Sequence, residues 1–308
     1  MLNMNELLAT APFDLYELSL FHLVVKHRSF TKAAELAGLT QSAITRQVQG
    51  MEDSLGIDLL ERTTRSVRVT KAGEFLFHES AKLLGDVDQS IRRLKEDYGN
   101  AKKEIRIGVS RSITPAYLPG FFHANLRLGL KASYRVAYQP SSDILTALEA
   151  NELDLGVLCP PPRLPKTLAA THRFKDVFTL IASTETAEEF LKLPKSKATR
   201  TDWLKRQNWL LLEETTNTGR ELRNWMKGNG LKIDPAMQLD SFDLIINLVS
   251  LGMGVSFVPI RALAIYGQKR NLARIVLPYR FERHLVVVTR KHRKQPAHLV
   301  EFVRNVLF

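Results

Sequence analysis

From Phe77 to Tyr98 the chain repeats in alternating steps of three and four, through Phe77, Ser80, Leu84, Val87, Ile91, Leu94 and Tyr98. That rhythm belongs to a helix with one narrow apolar stripe, the seam of a coiled coil. Thr70 is placed to cap such a helix, and Glu74 falls in its first turn, where a carboxylate suits the helix dipole. A helix from Ala72 to about Tyr98 is roughly 40 Å long at ~1.5 Å per residue. So narrow a seam calls for something to pack against it, either a second copy of the helix or the rest of its own chain. The helix also separates two textures: helical before it, alternating strand and helix after Gly99 and Asn100.

Before it, Leu15, Leu18, Phe21, His22 and Val25 recur at helical spacing, and Phe30, Ala33, Ala34 and Ala37 give a second, short helix with a small-residue face. Gly38 suits a helix C-terminus and Thr40 an N-cap. Residues 41–55, QSAITRQVQGMEDSL, then sort onto two faces: Ile44, Val48, Met51 and Leu55 on one, Ser42, Thr45, Arg46 and Gln49 on the other. A polar helix face is ordinarily solvated, but hydroxyl, guanidinium and amide groups within about two turns also suit base edges and phosphates in a DNA major groove. Helix, tight turn and sided helix describe a helix-turn-helix. Gly56 ends the sided helix, and in ERTTRSVRVT Val67 and Val69 alternate with polar residues, the period of a short β-ribbon or wing. Arg62, Arg65, Arg68 and Lys71 make that ribbon cationic, which beside a sided helix points to phosphate or minor-groove contact.

Charge does not explain this by itself. The chain of 308 residues carries a net charge of +12, yet residues 1–100 hold 12 Lys+Arg against 14 Asp+Glu, and the remainder holds 32 against 18. Recognition of DNA must therefore rest on a few placed cations. The length implies two or three domains. No segment approaches the roughly 18 apolar residues that span a bilayer, and MLNMNELLATAPF does not read as a secretory signal, so a cytoplasmic protein is expected. Cys159 is the only cysteine, which excludes an intrachain disulfide and a zinc site of several thiolates. Its place after a buried strand suits packing. The eight histidines show no metal spacing, and no G-x-S-x-G, P-loop or Rossmann glycine pattern appears. No catalytic residues, metal or cofactor are expected.

In the remaining two hundred residues, EIRIGV (104–109), YRVAY (134–138) and LDLGVL (153–158) read as strands with helices between them, one of these near 115–128. This βαβαβ order favours a parallel sheet. The run Cys159-Pro160-Pro161-Pro162 marks a crossing between subdomains. VFTLIAS (177–183), NWLLLE (208–213), AMQLD (236–240) and GVSFVP (254–259) make a second α/β unit. The chain crosses back near ARIVLPY, and HLVVVTR with the amphipathic tail completes the first unit. In such sheets ligands sit beyond the carboxyl ends of strands, near helix N-termini. The residues there are Ser110, Arg111, Ser112, Thr114, Ser141, Thr216, Asn217, Thr218, Ser241 and Phe242. Each hydroxyl is also an ordinary N-cap. With Arg111 and Arg220 nearby, the expected effector is an anion, a carboxylate.

The stretch FHLVVKHRSFTKAAELAGLTQSAITRQVQGMEDSLGIDLLERTTRSVRVTKAG resembles the winged helix-turn-helix of LysR-type transcriptional regulators, and the strand order after it resembles their periplasmic-binding-protein-like effector domain. The resemblance implies a multi-domain chain. An N-terminal extension (1–13) precedes a mainly α winged helix-turn-helix (14–71), a coiled-coil linker helix (72–99) and a two-lobed α/β effector-binding domain (100–308). Lobe 1 covers about 100–160 and 275–308, and lobe 2 about 165–270. The DNA-contacting set is Thr31, Gln41, Ser42, Thr45, Arg46, Gln49, Arg62, Arg65 and Arg68; the dimerisation set is Phe77, Leu84, Val87, Ile91, Leu94 and Tyr98. Implied partners are double-stranded operator DNA, a small-molecule effector, a second copy or a tetramer of the same chain, and RNA polymerase. Two other readings share parts of the pattern. A repressor or architectural DNA protein without an effector would have the same N-terminus, and a solute-binding protein the same lobes.

Overall fold

The computed structural model of the chain describes residues 12–61, 67–99, 102–113, 117, 122, 132–266, 271–291 and 295–304. It divides into two compact units, Met1–Asn100 with Glu149–Asn151, and Ala101–Leu148 with Glu152–Phe308.

In the first unit, α1 (Leu15–His27) opens on a capping box in which Asp14 accepts from the Glu17 amide at 2.8 Å and Glu17 accepts from the Asp14 amide at 2.9 Å. Ser29 caps α2 (Phe30–Ala37), and Gly38 ends it at φ +66°, a left-handed turn suited to glycine. Helix α3 (Gln41–Leu55) follows within three residues. Strands β1 (Leu60–Glu61) and β2 (Arg68–Val69) pair antiparallel, and Thr70 caps α4 (Lys71–Tyr98). Ala33, with no exposed surface, lets the helices approach closely, and Leu18, Phe21, Val24, Ile44, Val48 and Met51 fill the space between them. Gly73 is required where the ribbon meets α4, since a Cβ there would lie 2.1 Å from the carbonyl oxygen of Leu59.

The seam of α4 divides between two uses. Its N-terminal part serves its own chain. The Phe77 ring stacks on His22 at 4.6 Å, the Ser80 hydroxyl lies 2.9 Å from His22 Nδ1, and Leu84 packs on the same core. Farther along, Val87, Ile91, Leu94 and Tyr98 are 37, 48, 61 and 87% exposed.

The second unit has the two expected lobes. In lobe 1, β3 (Lys103–Ser110) lies between β4 (Ala132–Gln139) and β5 (Leu155–Leu158), all parallel, with α5 (Ser141–Glu149) between β4 and β5. Strand β11 (Glu282–Arg290) adds antiparallel to β5, and α10 (Ala297–Arg304) packs Leu299 and Phe302 into this core. The helix expected near 115–128 lies outside the described residues, Tyr117 and Phe122 excepted.

Lobe 2 contains α6 (Thr184–Lys192), α7 (Lys197–Arg206), α8 (Asn217–Gly228) and α9 (Phe242–Ser250). Its strands are β7 (Leu210–Leu212), β8 (Met237–Leu239), β9 (Ser256–Pro259) and β10 (Ala273–Ile275). The crossing expected at Cys159–Pro162 is made farther on. One long strand, β6 (Leu168–Ala182), pairs with β11 through Val177 and then with β9 and β10, so it belongs to both lobes. The proline run only turns the chain between β5 and β6. The return crossing lies alongside, with the Phe178 amide donating to the Phe281 carbonyl at 2.9 Å.

Candidate nucleic-acid face and interlobe site

The two faces read from residues 41–55 separate in α3 as expected. Ile44, Val48 and Met51 are buried, whereas Gln41, Ser42, Thr45 and Arg46 are exposed and Gln49 is half-buried. Thr40 caps the helix by accepting from the Ala43 amide at 3.2 Å. Several of the polar groups are already held. Thr31 Oγ1 on α2 donates to Gln41 Oε1 at 3.2 Å, Thr45 Oγ1 donates to the Gln41 carbonyl at 2.8 Å, and Gln49 Nε2 donates to Asp53 Oδ1 at 3.0 Å. The Arg46 guanidinium makes no such bond among the described residues, which leaves it an uncommitted cation on this face. Arg68 lies 3.9 Å from Glu61 in an exposed pair, an arrangement worth about 0–1 kcal/mol. Arg62 and Arg65 lie outside the described residues.

One acidic residue positions the whole face. Buried Glu52 accepts through Oε1 from the amides of Leu59 (2.7 Å) and Leu60 (2.9 Å), tying the end of α3 to the start of the ribbon. Its spacing, four residues after Val48 and eight after Ile44, sets it at the edge of the buried face, whereas Asp53 faces solvent.

In the second unit, β3 ends on Ser110 with Ser112 in the turn after it, α5 begins at Ser141, and α8 begins beside Thr218. Their hydroxyls form a chain: Ser141 donates to Ser110 at 3.1 Å, Ser110 and Ser112 lie 3.2 Å apart, and Thr218 donates to Ser112 at 3.4 Å. The chain crosses from lobe 1 to lobe 2 and ends on a residue that sequence did not single out. Arg283 Nη1 donates to Thr218 Oγ1 at 2.7 Å and to Ser112 Oγ at 3.2 Å, while Nη2 donates to the Ser112 carbonyl at 2.9 Å. Its Nε donates to Asp176 Oδ2 at 2.9 Å, and the Tyr117 hydroxyl donates to the other carboxylate oxygen. Arg283 and Asp176 are each 1% exposed. The strand register that sets Arg283 opposite Asp176 builds the pair. Burial first, and then the Asp176 charge, raise the Tyr117 phenol above its ordinary range and keep it a hydrogen-bond donor.

Residues 99–307 match the LysR substrate binding domain, and residues 15–74 match the helix-turn-helix of LysR-family bacterial regulatory proteins. The chain belongs to the LysR family of transcriptional regulators. This regulator is 30% identical over 257 residues to the HTH-type transcriptional regulator BenM of Acinetobacter baylyi, covering 80% of each chain. Its fold matches that of full-length CbnR complexed with its target DNA, with a TM-score of 0.66, 23% identity, and coverage of 96% of this chain and 99% of CbnR. A full-length OxyR variant from Pseudomonas aeruginosa matches with a TM-score of 0.65, 20% identity, and coverage of 96% and 94%. The family consists of transcriptional regulators and not of enzymes.

For the LysR regulator, the remaining residues of the expected effector set scatter in role. Thr216 caps α8 by accepting from the Gly219 amide at 2.9 Å, and Ser241 caps α9 by accepting from the Asp243 amide at 3.2 Å. Phe242 is core, its ring edge-on to Phe178. Asn217 Nδ2 donates to the Cys159 carbonyl at 2.9 Å. Thr114 lies outside the described residues. Neither arginine named from sequence is a free anion receptor. Arg111 pairs with Asp240 at 3.3 Å, and Arg220 donates to the carbonyls of Glu214 (3.3 Å) and Thr215 (3.1 Å) and to the Asn217 side chain. Short loops placed these long side chains within reach of partners that spacing alone could not reveal.

Burial pushes the Cys159 thiol up from 9.0 to about 11, with Arg283 pulling the other way. Between those values the folded chain holds a proton that the unfolded chain has released. Stability is therefore full below pH 9 and falls as pH rises toward 11, by on the order of 2 kcal/mol. Urea unfolding at stepped pH checks this: between pH 9 and 10, below the range where the buried tyrosines add the same kind of loss, the wild type loses stability that Cys159→Ala keeps.

Proposed function

We propose that this regulator binds operator DNA through the exposed face of α3 and the wing, pairs through the outer seam of α4, and responds to a small carboxylate held between its lobes. The hydroxyl chain from Ser141 through Ser110 and Ser112 to Thr218 carries the effector reading. It joins both lobes where α5 and α8 begin, and helix N-termini offer amide donors and positive dipole ends to an anion. Pro140 precedes α5 and has no side-chain oxygen with which to cap it. A carboxylate replacing part of this chain would accept from hydroxyls of both lobes at once. It would thus favour whichever lobe arrangement keeps them together, and the response is a population shift whose size is bounded by that preference.

The outer seam supports pairing, because Val87, Ile91, Leu94 and Tyr98 form an exposed apolar stripe that a second α4 would cover. Two copies joined in this way bring two recognition helices to one duplex.

Isothermal calorimetry on the full-length protein tests the effector. Organic acids should bind, their amides and methyl esters should not, and Ser112→Ala should weaken the acids. Binding confined to the neutral analogues would overturn the carboxylate.

A further inference from the structure

We infer a second anion site, in lobe 2 beside the return crossing, that takes a short-chain monocarboxylate. A cavity of about 90 Å³ lies there, and it shares no lining residue with the hydroxyl chain. Phe178 of β6 and Phe257 of β9 form its walls together with Leu277 and Tyr279, and two arginines complete it: Arg274 on β10 and Arg280 just before β11. The first four are apolar or aromatic and largely buried, whereas both guanidinium groups are exposed.

Three arginines nearby are already committed to acceptors. Arg223 bonds to Glu214, Arg220 to backbone carbonyls, and Arg283 to Asp176. Arg274 and Arg280 have no acceptor among the described residues, although they line one small space. Two like charges around a common cavity repel each other, and an anion between them removes that repulsion while gaining charge-assisted hydrogen bonds. The guanidinium fork matches a carboxylate, and the aromatic walls suit a short hydrocarbon tail. An engineered cavity of about 150 Å³ admits benzene, so this one suits a smaller molecule, of the size of propionate.

The position gives the site a consequence. Arg274 belongs to a strand of lobe 2, and Arg280 to the segment that leads back into lobe 1. A carboxylate held by both stiffens the return crossing, and with it the relation between the lobes. The site does not depend on the interlobe effector, and the two are tested by different variants.

The test is a titration of the full-length protein with sodium propionate at constant ionic strength, with sodium chloride and inorganic phosphate as comparison anions. Trp225 is a built-in reporter, its ring 5.6 Å from Tyr279 and 5.1 Å from Phe257. Propionate should give a saturable fluorescence change and a raised melting temperature, while chloride gives neither. Arg274→Gln and Arg280→Gln should each weaken binding by at least about tenfold, the equivalent of one lost hydrogen bond to a charged group. Ser112→Ala, which weakens acids held between the lobes, should leave the part of the response that depends on Arg274 and Arg280 unchanged. A response that does not saturate, that survives both arginine replacements, that follows phosphate in place of propionate, or that disappears in Ser112→Ala overturns the site.

Discussion

Replacing Arg283 by methionine is expected to lower the unfolding free energy of the full-length chain by about 3–5 kcal/mol, the cost of removing one partner of a buried ion pair. Attraction between the charges is only part of the reason. Asp176 is 1% exposed and would remain with Tyr117 as its partner, while Ser112 and Thr218 would each lose a donor at a buried position. The double replacement Arg283→Met with Asp176→Asn removes both charges and should cost clearly less than the sum of the single replacements. Urea unfolding followed by tryptophan fluorescence reads all of them, because Trp203, Trp209 and Trp225 lie in lobe 2. A loss below about 1 kcal/mol in Arg283→Met, the range of exposed pairs, would mean that water reaches the pair and that it does not tie the lobes together.

Arg46→Ala should weaken specific DNA binding by about 1–3 kcal/mol and relax sequence preference at the positions it reads. Its guanidinium projects from the exposed face of α3 without a bond to any described residue, so it gives up no internal partner when it meets a base. Gln49→Ala should cost less, since the Gln49 amide is already engaged by Asp53 at 3.0 Å. Fluorescence anisotropy on duplexes selected from a randomised pool measures both. If Arg46→Ala weakens all sequences equally and flattens the salt dependence, the residue contacts phosphate. If it changes nothing, the DNA face has been misplaced.

The DNA-binding unit was the more legible half because its signals are local. Thr40, Gly38, Gly56 and Thr70 mark the ends of elements within a few residues of the apolar stripes they bound, and the structure uses each at that position. What stayed hidden depends on distant partners. The seam of α4 looked uniform, yet Phe77 and Leu84 face α1 and the helix-turn-helix core while Val87 onward remains open. A 3.5-residue period cannot tell one partner from the other.

The interlobe site was legible as a set of turns but not as a set of roles. Ser110, Ser112, Ser141 and Thr218 do converge, whereas Thr216 and Ser241 serve as caps. Arg283 and Asp176 are 107 positions apart and stand in strands that read as amphipathic, so only the register reveals them. The first half of β6, LAATHRFKD, alternates buried and exposed positions too loosely to be read as part of a strand of 15 residues.

That strand also limits how the molecule can be taken apart. Because β6 is hydrogen-bonded in both lobes, the first of the two cuts between them falls inside a paired strand, and only the second, in the return segment 276–281, falls between strands. A chimera that takes lobe 2 from a relative must be joined within β6 near Val177 and again near Phe281, and must bring a matching register and a matching pair at positions 176 and 283. Exchange between relatives is thus easier by transfer of the whole effector domain than by trading single lobes.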